Sequence, residues 1–274
     1  MLITDQFVVL NMPKTGSTFV RSVIKELHER RVAAGGKGIL SAEHFLTNVF
    51  NPHRPADQHG SYSQIPLTDR GKKIVSVVRN PYEKFLSTYR FGYWAKHPPI
   101  SQDEIRRFLP QFPALSLDDY VLMNLLSERK KRSWESGLCV GNQTIQFLRM
   151  YAIDPAASLN RLSAEYFDDQ EFLEDLPPIR FLRNERLNHD LAELLLEMGF
   201  EDHEAELSRS SAPRNVTLRR ENEGHFWTER ALRYVGINDS YLFRMLSAIG
   251  AADYSRLESH QSEVAVTVED FVML

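Results

Sequence analysis

The chain has 274 residues, of which 42% are hydrophobic and 26% are charged, and these ordinary globular values exclude a wholly disordered protein. The formal net charge of −4 argues against a general nucleic-acid-binding protein. Residues 1–100 nevertheless contain 14 basic and 7 acidic side chains, so this basic first part predicts an anion-binding site near the N-terminus.

The first predicted elements are a strand, a tight loop and a helix. Residues 7–10 are four consecutive apolar residues, which is typical of a buried strand. After Gly16, apolar residues recur with helical spacing along one face of residues 19–27. A glycine-rich stretch at 33–38 ends this helix, and a second strand is predicted within 39–45.

A second strand–loop–helix unit follows. Residues 74–78 predict another buried strand, and Pro81 suits the first turn of the helix after it. The later predicted elements are a strand at 179–182 and helices at 117–132, 144–151, 187–198 and 228–249, the last with a break near Gly236. Alternating strands and helices predict an α/β fold, here three α/β/α layers with a central parallel sheet and a helix-rich second half. We expect one domain over residues 1–274, with its core at about 7–250 and a C-terminal tail at 251–274.

The loop before the first helix has the composition of an anion site. Backbone N–H groups at a helix N-terminus and the helix dipole favour phosphate or sulfate. Lys14 adds a positive charge, and Gly16 lets the backbone approach the anion. Further donors are the hydroxyls of Thr15, Ser17 and Thr18. The spacing does not fit a Walker A loop, in which the lysine directly follows the second glycine, and an ordinary capped turn is the alternative interpretation.

The end of the strand at 74–78 predicts a phosphate clamp without a metal. A metal-dependent P-loop enzyme typically has a strand ending in an aspartate that helps to hold Mg²⁺, whereas this strand is followed by Arg79. A guanidinium can bind phosphate through two hydrogen bonds, and Ser87 lies about two helical turns further on. The sequence has no His, Cys or Asp cluster with metal-ligand spacing. Anion sites on two adjacent strand ends indicate a nucleotide with phosphates on both sides of its ribose.

Two motifs resemble those of the PAPS-dependent sulfotransferases. Residues 13–18, Pro-Lys-Thr-Gly-Ser-Thr, resemble the family's loop for the 5′-phosphosulfate. Residues 78–89 resemble its 3′-phosphate motif, R-[ND]-P-Y-x-R-x-x-S-x-Y, with Lys84 where many members have arginine. Three weaker segments are closer to the carbohydrate/protein branch (the family 2 type) than to the small-phenol branch: 142–148, 181–187 and 215–220. The resemblance spans roughly residues 7–250 and implies a P-loop-NTPase-like fold.

The resemblance also implies how the co-substrate is bound. PAPS, 3′-phosphoadenosine 5′-phosphosulfate, would be the sulfuryl donor and PAP the product, with no metal. Lys14 would stabilise charge on the leaving phosphate. The expected ligands of the 5′-phosphate are Lys14, Thr15, Gly16, Ser17 and Thr18. The expected ligands of the 3′-phosphate are Arg79 and Ser87, with Arg214, Arg219 and Arg220 in a late basic loop that closes over it.

The residue that removes the acceptor proton is left open between two neighbours. The family uses a histidine or a glutamate near the end of the strand after the first helix, and this chain has Glu43 followed by His44. Adjacent strand residues point to opposite faces, so one of the two is expected to face the site. His44 is slightly favoured, because its ordinary pKa needs little adjustment for a base.

The expected acceptor is a hydroxyl of a saccharide, or otherwise of a peptide tyrosine or another metabolite. Two alternatives are a P-loop nucleotide or small-molecule kinase and a non-catalytic PAP-binding module. A single cysteine, the lack of a long apolar run and the lack of a leader-like N-terminus favour a cytoplasmic protein with no membrane span. The sequence leaves the oligomeric state open.

Overall fold

The computed structural model describes residues 1–43, 58–131, 138, 140–212, 227–252 and 254. Its strands are β1 (Leu2–Thr4), β2 (Phe7–Leu10), β3 (Leu40–Glu43), β4 (Lys73–Val78) and β5 (Ile179–Arg183). They form one five-stranded sheet in the order β3-β1-β2-β4-β5. The strands predicted from continuous apolar runs therefore lie side by side.

The sheet is mixed. β2, β4 and β5 are parallel neighbours, whereas β1 is antiparallel to both β2 and β3. The predicted α/β class is confirmed, and the expectation of a parallel sheet is corrected, because β1 reverses the direction on one side. The sequence did not reveal β1, since three residues carry almost no periodicity. A local turn closes the β1–β2 hairpin, where the Thr4 hydroxyl accepts a hydrogen bond from the N–H of Phe7 at 2.8 Å.

Helices occur along the whole described chain and make up most of the described residues in its second half, as predicted. They are α1 (Ser17–Ala33), α2 (Pro81–Phe91), α3 (Tyr93–Lys96), α4 (Gln102–Phe108), α5 (Leu117–Lys131), α6 (Asn142–Tyr151), α7 (Pro155–Asn160), α8 (Ala164–Asp168), α9 (Phe172–Asp175), α10 (Leu187–Glu197), α11 (Asp202–Ser210), α12 (Glu229–Arg233) and α13 (Ser240–Ala248). A π-helical turn at Tyr234–Asn238 separates α12 from α13, at the break predicted near Gly236. None of the helices described combines the length and apolarity needed to cross a bilayer.

Helices cover both faces of the sheet. Val9 and Val75 point to one face, where they pack with apolar side chains of α1, α10 and α11. Val8 and Ile74 point to the other, where they pack with α6, α8 and α13. A third apolar cluster joins α2, α5 and α12. This packing fixes the strands whose ends carry the candidate site. The P-loop-like fold and the single-domain organisation stay predictions.

Candidate active site at the strand ends

The loops that carry two of the predicted binding residues, Lys14 and Arg79, lie at one edge of the sheet. Because β2, β4 and β5 are parallel, the loops after them leave from the same edge, where open α/β sheets bind their ligands. Lys14 follows β2, Arg79 follows β4 and Asn184 follows β5. We call this edge the strand-end site and define it by residues 11–18, Arg79, Ser87 and Asn184.

The loop between β2 and α1 is held in an unusual backbone conformation. Lys14 has φ 63° and Gly16 has φ 99°, both in the left-handed region, where a residue other than glycine is strained. The side-chain amide of Asn184 donates a hydrogen bond to the Thr15 carbonyl at 2.8 Å. A Cβ on Gly16 would lie 2.5 Å from the same amide nitrogen. Asn184, directly after β5, therefore holds the loop in place. A glycine is required at position 16 both by its positive φ and by the close approach of the Asn184 amide.

The loop hydroxyls are largely engaged within the loop. Thr15 donates to the Met12 carbonyl at 2.9 Å, and Ser17 donates to the same oxygen at 3.2 Å. These protons hold the turn, so the structure does not present them as the free donors that the sequence suggested. The first turn of α1 has no side-chain cap from the described residues and no acidic residue, and Thr18 is exposed there. Backbone N–H groups and Thr18 are thus the donors left for an anion.

Arg79 connects the second strand end to this loop. One of its guanidinium nitrogens, Nη1, donates to the Lys14 carbonyl over 3.4 Å, and Nη2 lies 3.3 Å from a carboxylate oxygen of Glu83. The Arg79 side chain is 24% exposed and that of Glu83 is 56% exposed, so both members of the pair are in contact with solvent. Burial and the nearby charge of Arg79 lower the pKa of Lys14. Two cations this close create a local potential that attracts anions.

The last residue of α2 is in contact with Lys14. The Lys14 ammonium nitrogen lies 3.9 Å from the centre of the Phe91 ring, at the last residue of α2. Glu83, Ser87 and Phe91 are spaced four residues apart and so share one face of α2. Ser87 is only 6% exposed, and its hydroxyl makes no hydrogen bond to any residue that the structure describes. This placement is compatible with its predicted role beside Arg79.

The backbone of Glu43 lies at the same edge of the sheet as the loop after β2. Since β1 is antiparallel to both β2 and β3, β3 runs in the same direction as β2. Glu43 pairs with Leu2, and Leu2 pairs with Val9, so the backbone of Glu43 lies about 10 Å, or two strand spacings, from β2. Four of the other predicted site residues lie outside the described part of the chain: His44, Arg214, Arg219 and Arg220. The choice of base stays a prediction.

Glu185 is a contact residue of this edge that the sequence did not reveal. Its Oε1 accepts a hydrogen bond from the backbone N–H of Asn80 at 3.0 Å, and its Oε2 accepts one from the Tyr254 hydroxyl at 2.8 Å. Burial and the Glu185 charge raise the pKa of Tyr254. These bonds tie the start of α2 to the end of β5 and to Tyr254 in the C-terminal tail. Sequence patterns did not disclose them, because the partners lie 105 and 69 positions apart.

Lys84, the residue that departs from the family motif, lies in the interior. It is 5% exposed, and its ammonium donates to the Gln146 side-chain oxygen at 2.9 Å. Burial lowers the pKa of Lys84 to about 8, and the Asp239 charge acts against this shift. The Asp239 carboxylate accepts hydrogen bonds from the backbone N–H groups of Gln143 and Thr144 at 3.0 Å each. Lys84 therefore helps to join α2 to α6, which is a structural role.

One group of possible metal ligands exists among the residues that the structure describes. The ligand atoms of His189, Asp190 and Glu193 lie within 4.8 Å of one another. The Asp190 carboxylate, however, already accepts three hydrogen bonds at 2.9 Å from the backbone and guanidinium of Arg183. The Asp190 charge is therefore neutralised by Arg183, and we interpret the group as part of an ion pair that anchors α10 to the end of β5.

Comparisons of the chain with protein-family models, with curated proteins and with solved structures find no match.

Proposed function

We propose that this chain is a sulfotransferase, which moves a sulfuryl group from PAPS to an acceptor hydroxyl, with a saccharide as the preferred acceptor class. One observation carries the proposal. Lys14 and Arg79 follow adjacent parallel strands, and the Arg79 guanidinium contacts the backbone of Lys14. Two cationic groups at one sheet edge suit a ligand with two separate anionic ends.

The nucleotide has a natural placement in this site. Its 5′-phosphosulfate would lie at the uncapped N-terminus of α1 beside the Lys14 ammonium. Its 3′-phosphate would replace the Glu83 carboxylate on Arg79 and accept a hydrogen bond from Ser87. The residues outside the described part, Arg219 and Arg220, are proposed to close over the 3′-phosphate.

The transfer step is an in-line displacement at sulfur. The acceptor oxygen forms a bond to sulfur while the bond from sulfur to the 5′-phosphate oxygen breaks, and the electron pair of that bond leaves with PAP. Lys14 stabilises the charge that develops on the leaving phosphate. The acceptor proton passes to Glu43 or His44, which acts as the general base.

Incubation with radiolabelled PAPS and a panel of oligosaccharides, tyrosine peptides and small metabolites tests the proposal. Wild type should label one acceptor class, and Lys14→Ala should lose most turnover while it keeps part of its nucleotide affinity. Lys37→Ala is the matched control, since Lys37 is 85% exposed and pairs with Asp5. Near-normal turnover in Lys14→Ala would refute the assignment. Binding of PAP without transfer to any acceptor would favour the non-catalytic module, and Mg²⁺-dependent consumption of ATP would favour a kinase.

The two candidate bases can be separated in the same assay. Glu43→Gln and His44→Ala remove one proton acceptor each, so the variant that lacks the base should lose turnover by about 100-fold or more. Full activity in both variants would exclude this strand end as the source of the base.

A further inference from the structure

Phe91 is a large apolar side chain that is left 62% exposed at the end of α2, and one face of its ring is in contact with a cation. The Lys14 ammonium lies 3.9 Å from the ring centre, well inside the range of a cation–π interaction. The Phe91 ring is also nearly parallel to the Tyr93 ring, with ring centres 6.4 Å apart and an angle of 14° between the ring planes. The Phe91 ring thus has the Lys14 ammonium over its face and a second aromatic ring nearby.

The ammonium of Lys14 has few other restraints. It makes no hydrogen bond or ion pair with any residue in the described part of the chain. A lysine side chain has several rotatable bonds, and free rotation would spread its charge over many positions. A carboxylate partner would fix the ammonium but also neutralise it. An aromatic ring attracts the cation without accepting its protons, so the N–H groups stay available to an anion.

We infer that Phe91 is a positioning residue, which holds the Lys14 ammonium where the leaving phosphate develops its charge. This inference rests on the proposed function. The backbone geometry agrees with it, because Phe91 shares its face of α2 with Ser87, the predicted ligand of the 3′-phosphate. One helix would thus orient the catalytic lysine and bind the nucleotide at the same time.

The contact itself can be tested without nucleotide. A ring facing a lysine shifts the NMR resonances of the lysine ε-CH₂ protons upfield, and the Lys14 signal is identified by its loss in Lys14→Arg. Phe91→Leu should move this signal to the position found for exposed lysines, whereas Phe91→Trp should keep it shifted upfield. Phe108→Leu is the matched control, since Phe108 is also the last residue of its helix and is 48% exposed.

Kinetics with PAPS tests the role of the ring. Phe91→Leu should lower kcat by about 3- to 30-fold, while PAP affinity changes less than about 3-fold, and Phe91→Trp should restore kcat. Phe108→Leu should match wild type. An unshifted Lys14 signal in wild type, or an unchanged kcat in Phe91→Leu, would overturn the inference. If wild type shows the shifted signal but transfers no sulfuryl group, the proposed function fails and the catalytic role of Phe91 fails with it, whereas the ring–ammonium contact stands.

Discussion

Under the proposed function, Glu83 is the side chain that an incoming 3′-phosphate would displace from Arg79. It lies four residues further along the chain, 3.3 Å from the guanidinium, and is largely exposed. An exposed ion pair of this kind contributes only about 0.2–1 kcal/mol to stability. It nevertheless places a negative charge where the 3′-phosphate is proposed to bind, so Glu83 would oppose binding of that nucleotide.

Glu83→Gln should therefore tighten PAP binding. We expect the Kd to fall by about 2- to 5-fold, the equivalent of roughly 0.5–1 kcal/mol, because the competing charge is lost. Isothermal titration calorimetry measures the change. Glu104→Gln controls for the loss of a negative charge from the first turn of a helix, since Glu104 occupies the same position in α4. Equal effects of the two substitutions would show that Glu83 does not compete at Arg79.

At the scale of elements, the loop between β2 and α1 depends on β5. Gly16 combines a positive φ with a close approach to Asn184, whereas Gly35 has φ 79° and no atom within 4 Å of the point where a Cβ would lie. A substitution at Gly35 therefore introduces backbone strain alone, whereas one at Gly16 introduces backbone strain and a steric contact. The loop that carries Lys14 is expected to need both features.

Gly16→Ala should destabilise the protein more than Gly35→Ala. Backbone strain alone costs about 1–2 kcal/mol at either position. At Gly16 the new Cβ would also push against the Asn184 amide and weaken its hydrogen bond to Thr15, which adds about 1 kcal/mol or more. Urea denaturation of both variants gives the difference. Equal losses of unfolding free energy would contradict the close approach.

The sequence predicted those elements whose pattern is local. Continuous apolar runs located β2 and β4, and helical spacing located α1 and α10. β1 was missed, because three residues carry too little pattern. The same apolar runs predicted that Lys14 and Arg79 follow the ends of two strands.

The contacts that shape the site were not predictable in the same way. The bond from Asn184 to Thr15 joins residues 169 positions apart, and only the parallel pairing of the strands brings them together. Hydrophobic periodicity gives no register between such segments. The engagement of the Thr15 and Ser17 hydroxyls by one carbonyl likewise depends on the actual turn conformation.

At the scale of the whole molecule, α2 connects the strand-end site to the helical second half. Its N-terminal end meets Glu185, its C-terminal end meets Lys14, and the buried Lys84 reaches α6 from its middle. Burying the charged form of Lys84 opposes folding, which is why its pKa falls to about 8. Lys84 should therefore contribute to the pH dependence of stability.

Wild type should gain stability relative to Lys84→Met as the pH rises from 8 to 10. In this range the folded protein releases the Lys84 proton while the unfolded chain, with a pKa of 10.5, retains it, so the unfolding free energy increases. The expected gain is on the order of 2–3 kcal/mol. Lys84→Arg, which stays charged, should show no such gain. Urea denaturation at several pH values measures it, and parallel pH profiles of wild type and Lys84→Met would contradict the buried position.

Arg79 and Lys14 are proposed to bind the two ends of one nucleotide. The most direct test is to measure the affinities of wild type and of Arg79→Met for PAP and for AMP by calorimetry. AMP lacks the 3′-phosphate, so wild type should bind PAP at least about tenfold more tightly than AMP, as expected for a charge-assisted contact. In Arg79→Met this ratio should fall to about 2 or less. A ratio that Arg79→Met leaves unchanged, or a wild-type chain that does not bind PAP, would contradict the claim.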